Sequence, residues 1–140
     1  MKRSLSNLIL GAGLVGSTFF TAAGVNADPS EWVKADYVNS CAACHGVDGT
    51  GNGPMAGELK GKPTDLTMLA KQNDVNFPYL KVYRTIDGTW DQGNMRAHGS
   101  KEMPIWGDVF RRTAGGENVY MQTKGRIMAI IQYIDSLQKK

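Results

Sequence analysis

Metal-binding side chains are scarce in this chain: its 140 residues include two cysteines and two histidines. Two thiols exclude a multi-bridge disulfide scaffold. A zinc site would have to recruit both His45 and His98, since no second cysteine pair exists. Charge of one sign is also scarce. The formal net charge is +3, with no block of five like charges, which excludes a basic nucleic-acid arm. No internal repeat or low-complexity tract is present, and no stretch alternates cleanly between β-branched and polar residues, so strands have no signal. The rest is ordinary: 41% hydrophobic, 21% charged, and a length that suits one domain.

A long apolar run occurs only at the N-terminus. Lys2 and Arg3 are followed by an uncharged, mostly apolar stretch over residues 8–20, and Val25-Asn26-Ala27 fits a cleavage site. The stretch is shorter than the ~20 residues that span a bilayer. Residues 1–27 are therefore expected to be a signal peptide, with an uncleaved anchor as the alternative, and residues 28–140 to be the exported, periplasmic domain. A domain of this size buries somewhat under ~70% of its unfolded surface and gains from a bridge, metal or cofactor. Glycine interrupts its apolar residues repeatedly, which raises the question of what fills the core.

Three helices are legible. Asp28-Pro29-Ser30-Glu31 combines a cap, a first-position proline and a glutamate, and predicts a helix over residues 30–40 with Val33, Tyr37 and Cys41 on one face. A second is expected over 76–87, between Pro78 and the stop signal Gly88. The third, over 124–138, carries Ile127, Ile130, Ile131, Ile134 and Leu137 as one apolar stripe. Residues 46–61 hold six glycines and read as one long tight loop, usually a functional feature. The fold class is all-α.

The chemistry lies at Cys41-Ala42-Ala43-Cys44-His45. This C-x-x-C-H spacing is the attachment pattern of c-type haem. Two thiols three positions apart can each form a thioether to one haem vinyl group, and the imidazole that follows then lies under the iron. A structural disulfide or a redox-active dithiol is the competing reading, as is zinc. A thiol-disulfide oxidoreductase usually sits on a βαβ framework, for which there is no signal here.

The chain resembles the class I c-type cytochromes, most closely bacterial members. The resemblance is carried by Tyr37 ahead of Cys41-Ala42-Ala43-Cys44-His45-Gly46, by Asp48-Gly49-Thr50-Gly51-Asn52-Gly53-Pro54, and by Leu59 with Lys62-Pro63-Thr64-Asp65-Leu66-Thr67. It continues through Glu102-Met103-Pro104-Ile105-Trp106-Gly107 and ends in Tyr133-Ile134-Asp135-Ser136-Leu137-Gln138. It implies a small fold in which the first and last helices cross around one covalently attached haem c. It also implies a non-enzymatic one-electron carrier, with His45 and Met103 as axial iron ligands. The Pro54 carbonyl is expected to accept the His45 Nδ1 proton, and Trp106 to neighbour the haem, as are Tyr83 and Arg96; Trp32, Trp90 and Met128 are expected to be packing groups.

Met103 precedes Pro104, as the family's distal methionine does, and a thioether raises the potential of haem iron. Met95 and Met121 stay open as alternatives, and His98 as a nitrogen ligand or an ordinary loop histidine. Expected partners are a redox donor and acceptor, with no nucleic acid, and a membrane only if the leader is retained. The protein would act as a monomer or as the haem subunit of an exported dehydrogenase or oxidase. Lys60, Lys62, Lys101, Arg111 and Arg112 are candidates for a basic rim. Acid–acetone extraction of the exported protein should leave its colour on the polypeptide; colourless protein with a Cys41–Cys44 disulfide, made in cells competent for haem attachment, would contradict the covalent assignment.

Overall fold

The computed structural model describes residues 29–89 and 102–139. The leader, Trp90, Met95, Arg96, His98 and Lys101 lie outside the described residues. Within them there are five α-helices, two 3₁₀ turns and no strand. The all-α expectation holds.

Helix α1 spans Pro29–Ser40 and is followed at once by the single-turn α2, Ala42–His45. The 3₁₀ turns Ala56–Glu58 and Leu66–Met68 punctuate the long connection to α3, Tyr79–Asp87. Helix α4 covers Trp106–Thr113 and α5 covers Val119–Ser136. No described helix is long and apolar enough to cross a membrane.

The sequence reading placed α1 within a residue and ended α3 correctly, since Gly88 adopts a left-handed conformation and returns its N–H to the Arg84 carbonyl. Helix α3 starts three residues later than expected, because Pro78 takes the cap position. Helix α5 starts five residues earlier. Its first turn carries exposed Tyr120 and Met121 and so lacks a buried stripe. Helix α4 was not expected at all. It is short, with Gly107 in its first turn and only Trp106, Val109 and Phe110 as apolar residues.

Helix α5 is the hub and packs against α1, α3 and α4. Ile127, Ile130, Ile131 and Ile134 are each no more than 2% exposed. Burying such a side chain contributes about 1.5–3 kcal/mol, so this stripe rather than helix propensity holds the element in place. Arg126 on the flank of the stripe pairs with Asp36 of α1 through two nitrogens, Nε at 2.7 Å and Nη2 at 2.5 Å. Its guanidinium also lies 3.9 Å from the centre of the Phe110 ring in α4. One side chain of α5 therefore ties two further helices to it. Trp32 is half exposed and Met128 is 40% exposed, so the expectation that they are packing groups is corrected. Each lies off its helix's buried face.

The α3–α4 junction depends on close approach. A Cβ added to Gly107 would lie 2.6 Å from the Asp87 carbonyl oxygen, whereas one added to Gly125 in α5 would meet nothing within 4 Å. Gly107→Ala should therefore destabilise the protein by about 1–3 kcal/mol through overpacking. Gly125→Ala should stabilise it by about 0.5–1 kcal/mol by removing backbone freedom. Thermal unfolding of the two variants should show shifts of opposite sign.

Candidate functional site

The site begins where α1 breaks. Cys41 donates its N–H to the Tyr37 carbonyl at 2.7 Å but leaves helical geometry, and the chain re-enters a turn that closes with His45 N–H on the Cys41 carbonyl at 2.9 Å. Tyr37, with no exposed surface, donates its hydroxyl to the Gly46 carbonyl at 2.8 Å and fixes the end of this turn to α1.

His45 is 8% exposed. Its Nδ1 lies 3.0 Å from the Thr64 carbonyl oxygen. A carbonyl only accepts, so Nδ1 carries the proton and Nε2 keeps a free lone pair. Burial pushes the imidazole pKa down, against a smaller upward pull from the Thr64 bond, so the ring is neutral near neutral pH. A neutral imidazole with a bare Nε2 is the form that ligates a metal.

The Thr64 bond corrects the expectation that Pro54 supplies this acceptor. Gly53 and Met55 donate their N–H groups to the Cys44 and Ala43 carbonyls, at 3.1 and 2.8 Å, which lays the Pro54 segment along the backbone of α2. The chain then returns. Leu66 N–H donates to the Gly49 carbonyl at 2.7 Å, and this pairing brings Pro63-Thr64 across from His45. The cue was present in the sequence as Pro63-Thr64-Asp65-Leu66-Thr67, where an aspartate two residues before a threonine can close a turn.

Cys41, His45, Thr64 and Met103 line both lobes of one crevice, with cavity volumes of about 400 and 350 Å³. Cofactor pockets fall in the range ~300–1,000 Å³. The outer lobe adds Cys44, Leu59, Lys62, Glu102, Pro104 and Trp106, and the inner one adds Leu66, Leu69, Val82, Ile86 and Ile134 together with the polar Gln72, Asn73, Lys81 and Thr85. Trp106 thus sits on the crevice wall, its ring 5.5 Å from that of Phe110. The inner wall was not identified from sequence as part of a site, because its residues look like ordinary core. Tyr83 packs against the core and does not line either lobe.

The Met103 segment is tied back to the glycine-rich loop by Glu102, whose two carboxylate oxygens each accept from Lys60 N–H at 3.1 Å. The other described methionines do not line the crevice: Met121 and Met128 lie in α5 and are 64% and 40% exposed, Met55 is half exposed, and Met68 belongs to a 3₁₀ turn. Met121 therefore drops out as an alternative ligand. Of the expected basic rim only Lys62 is among the described lining residues, while Lys81, not expected there, lines the inner lobe. Arg111 and Arg112 sit in α4, paired with Asp108 and, for Arg111, Asp87.

The Cys41 thiol is shifted away from the range of a redox-active cysteine. Burial pushes Cys41 up to about 12, with Asp36 and Cys44 adding to the rise. Reactive cysteines are shifted the other way, since the thiolate is the nucleophile. Among the described residues no group of three or more His, Cys, Asp or Glu side chains could hold a metal ion.

A family model for cytochrome c matches residues 31–138. The chain belongs to the cytochrome c family. No match is found among curated proteins or among solved structures. Membership makes haem c, covalently bound with its iron, the cofactor, and haem-based electron transfer the activity of the domain. The residues fit it. Two thiols at the haem-attachment spacing, a neutral histidine and a sulfur-bearing residue line an otherwise largely apolar crevice.

The same walls generate a prediction about folding. Inner-lobe side chains such as Leu69 and Val82 line a cavity, and a cavity's lining loses its dispersion partners. A group that binds only the native state adds its binding energy to folding. The double variant Cys41→Ala, Cys44→Ala should therefore be largely unfolded or rapidly degraded in the cell, with far-ultraviolet circular dichroism well below that of the holoprotein. A cooperative, fully helical apoprotein would show that the core suffices alone.

Proposed function

We propose that this cytochrome c is an exported, periplasmic one-electron carrier of the class I type, with His45 and Met103 as the two axial ligands of its haem iron. The observation that carries the reading is that His45 and Met103 line both lobes of the same crevice, beside Cys41. Export is supported by Lys2-Arg3, the apolar stretch and the Val25-Asn26-Ala27 site. Covalent attachment fits that location, since it retains the cofactor outside the cytoplasm.

When bound, haem c supplies one-electron exchange between ferric and ferrous iron. The chain's part is to set the terms. His45 offers Nε2 while Nδ1 stays on the Thr64 carbonyl, which fixes the ring and raises its basicity. Met103 offers a soft thioether that favours the reduced state. Leu69, Val82, Ile86 and Ile134 give the inner lobe an apolar wall. Two protein ligands leave no open coordination position, so substrate chemistry is disfavoured. Partners would meet the outer lobe, beside Cys44 and Lys62, through a small and short-lived contact.

Met103→Ala should abolish the near-infrared iron–sulfur charge-transfer band and lower the reduction potential by more than about 59 mV, a tenfold shift of the one-electron equilibrium. It should also open the iron to carbon monoxide, which the native ferrous protein should resist, whereas Met121→Ala should change none of the three. A Met103 variant that keeps the band would place the sulfur ligand elsewhere, and ready binding of carbon monoxide by the native protein would favour a haem enzyme or sensor.

A further inference from the structure

The carbonyl that fixes His45 has no helix or strand of its own to hold it. Residues 62–65 form no regular element, and Thr64 itself is exposed. The Thr64 oxygen nevertheless meets Nδ1 at 3.0 Å. Its support comes from the turn that follows. Asp65 Oδ1 accepts from Thr67 N–H at 2.9 Å and from Thr67 Oγ1 at 2.6 Å, and Leu66 N–H is anchored on Gly49.

The far side of that turn is held by the end of the chain. Gln138 Nε2 donates to the Leu66 carbonyl at 2.7 Å and to the Ile134 carbonyl at 2.9 Å, while Oε1 accepts from Ala70 N–H at 2.9 Å. Lys139 N–H adds a bond to the Thr67 carbonyl at 2.9 Å. The end of α5 does not depend on the glutamine, since Leu137 N–H already donates to the Ile134 carbonyl at 3.1 Å. The bonds to Leu66 and Ala70 instead cross 72 and 68 residues of sequence to grip both ends of one turn.

We infer that Gln138 is a positioning residue for the axial histidine: through Leu66 and Ala70 it fixes the turn after Thr64, and so the carbonyl that receives the His45 Nδ1 proton. The inference rests on the proposed reading of His45 as an iron ligand. A ligand histidine that donates a firm Nδ1 hydrogen bond is a stronger base toward the metal. A stronger base favours the ferric state, so loosening the Thr64 carbonyl raises the potential.

The test uses the holoprotein and Gln138→Met, which keeps length and bulk but removes both bonds to the turn. Exchange of the His45 Nδ1 proton, followed by NMR in the ferrous protein, should become about tenfold faster or more. The reduction potential should rise by up to a tenfold shift of the equilibrium, about 59 mV. Thr67→Val, which loosens the same turn from its other side, should move both quantities in the same direction and stands in if Gln138→Met does not fold. Ile130→Val, which thins the core away from this turn, should lower Tm and move neither. Gln138→Met or Thr67→Val with a lowered Tm but native exchange and potential would reduce Gln138 to a helix cap and overturn the inference. If His45 titrates as a free imidazole in the native holoprotein, the ligand reading and this inference fail together.

Discussion

Three parts of the chain meet on Tyr37. Its ring has no exposed surface and lies 5.0 Å from that of Tyr133 in α5, and its hydroxyl reaches the carbonyl of Gly46, the residue after His45. A phenol buried this deeply must satisfy its O–H, because an unpaired buried hydroxyl costs about 1–3 kcal/mol. That requirement sets the spacing between α1 and the C-x-x-C-H turn. Burial, helped by nearby acidic groups, holds the phenol's pKa well above its ordinary value, so it remains a donor at neutral pH. With α1, the turn and the C-terminal half of α5 joined here, His45 has a fixed origin and only its second anchor, Thr64, comes from elsewhere.

The opposite wall of the crevice is attached less directly. Met103 sits between Glu102, which holds the backbone of Lys60, and α4, which is seated on α3 by Gly107 against Asp87. Arg111 links the same two helices through Asp87 and Asp108, but its side chain is about a third exposed, and pairs of that kind contribute about 1 kcal/mol or less. Shape at Gly107 therefore matters more than charge at Arg111. Haem c between these walls would replace missing wall-to-wall contacts with its own apolar faces, and its thioethers would tie it to the N-terminal side. This answers the question raised by a small, glycine-interrupted domain: the cofactor is part of the core.

What the sequence made legible follows the strength of each local signal. The C-x-x-C-H spacing, the isoleucine stripe of α5 and the Gly88 stop are each local and redundant, and each reappears in the structure. Helix α4 escaped notice because its apolar pair Trp106 and Phe110 covers barely one turn and its tertiary seat on Asp87 has no local trace. Thr64 escaped for a different reason. A backbone carbonyl leaves no mark on residue identity, so only the turn chemistry of Asp65 and Thr67 pointed to it, and Pro54 offered a nearer proline inside a loop that looked continuous. The inner wall was invisible because Val82, Ile86 and Ile134 obey the same periodicity whether they face another helix or a cofactor.

The proposed ligation gives neutral groups beside the iron a direct part in setting its potential. A carboxylate in place of the Thr64 carbonyl would draw the Nδ1 proton more strongly, since charge-assisted hydrogen bonds are shorter and stronger, and would make the imidazole a better stabiliser of ferric iron. A carbonyl gives only part of that effect. On the other side, the Met103 thioether favours the ferrous state. On the cysteine side, the half-buried Asp36 is neutralised by Arg126 in a two-point contact. Under the proposed ligation these choices would bias the iron toward reduction, and the geometry of one backbone carbonyl would be the adjustable element. A bond whose strength depends on a turn, and a turn held by a glutamine at the chain's far end, gives this domain a way to vary its potential without altering either ligand.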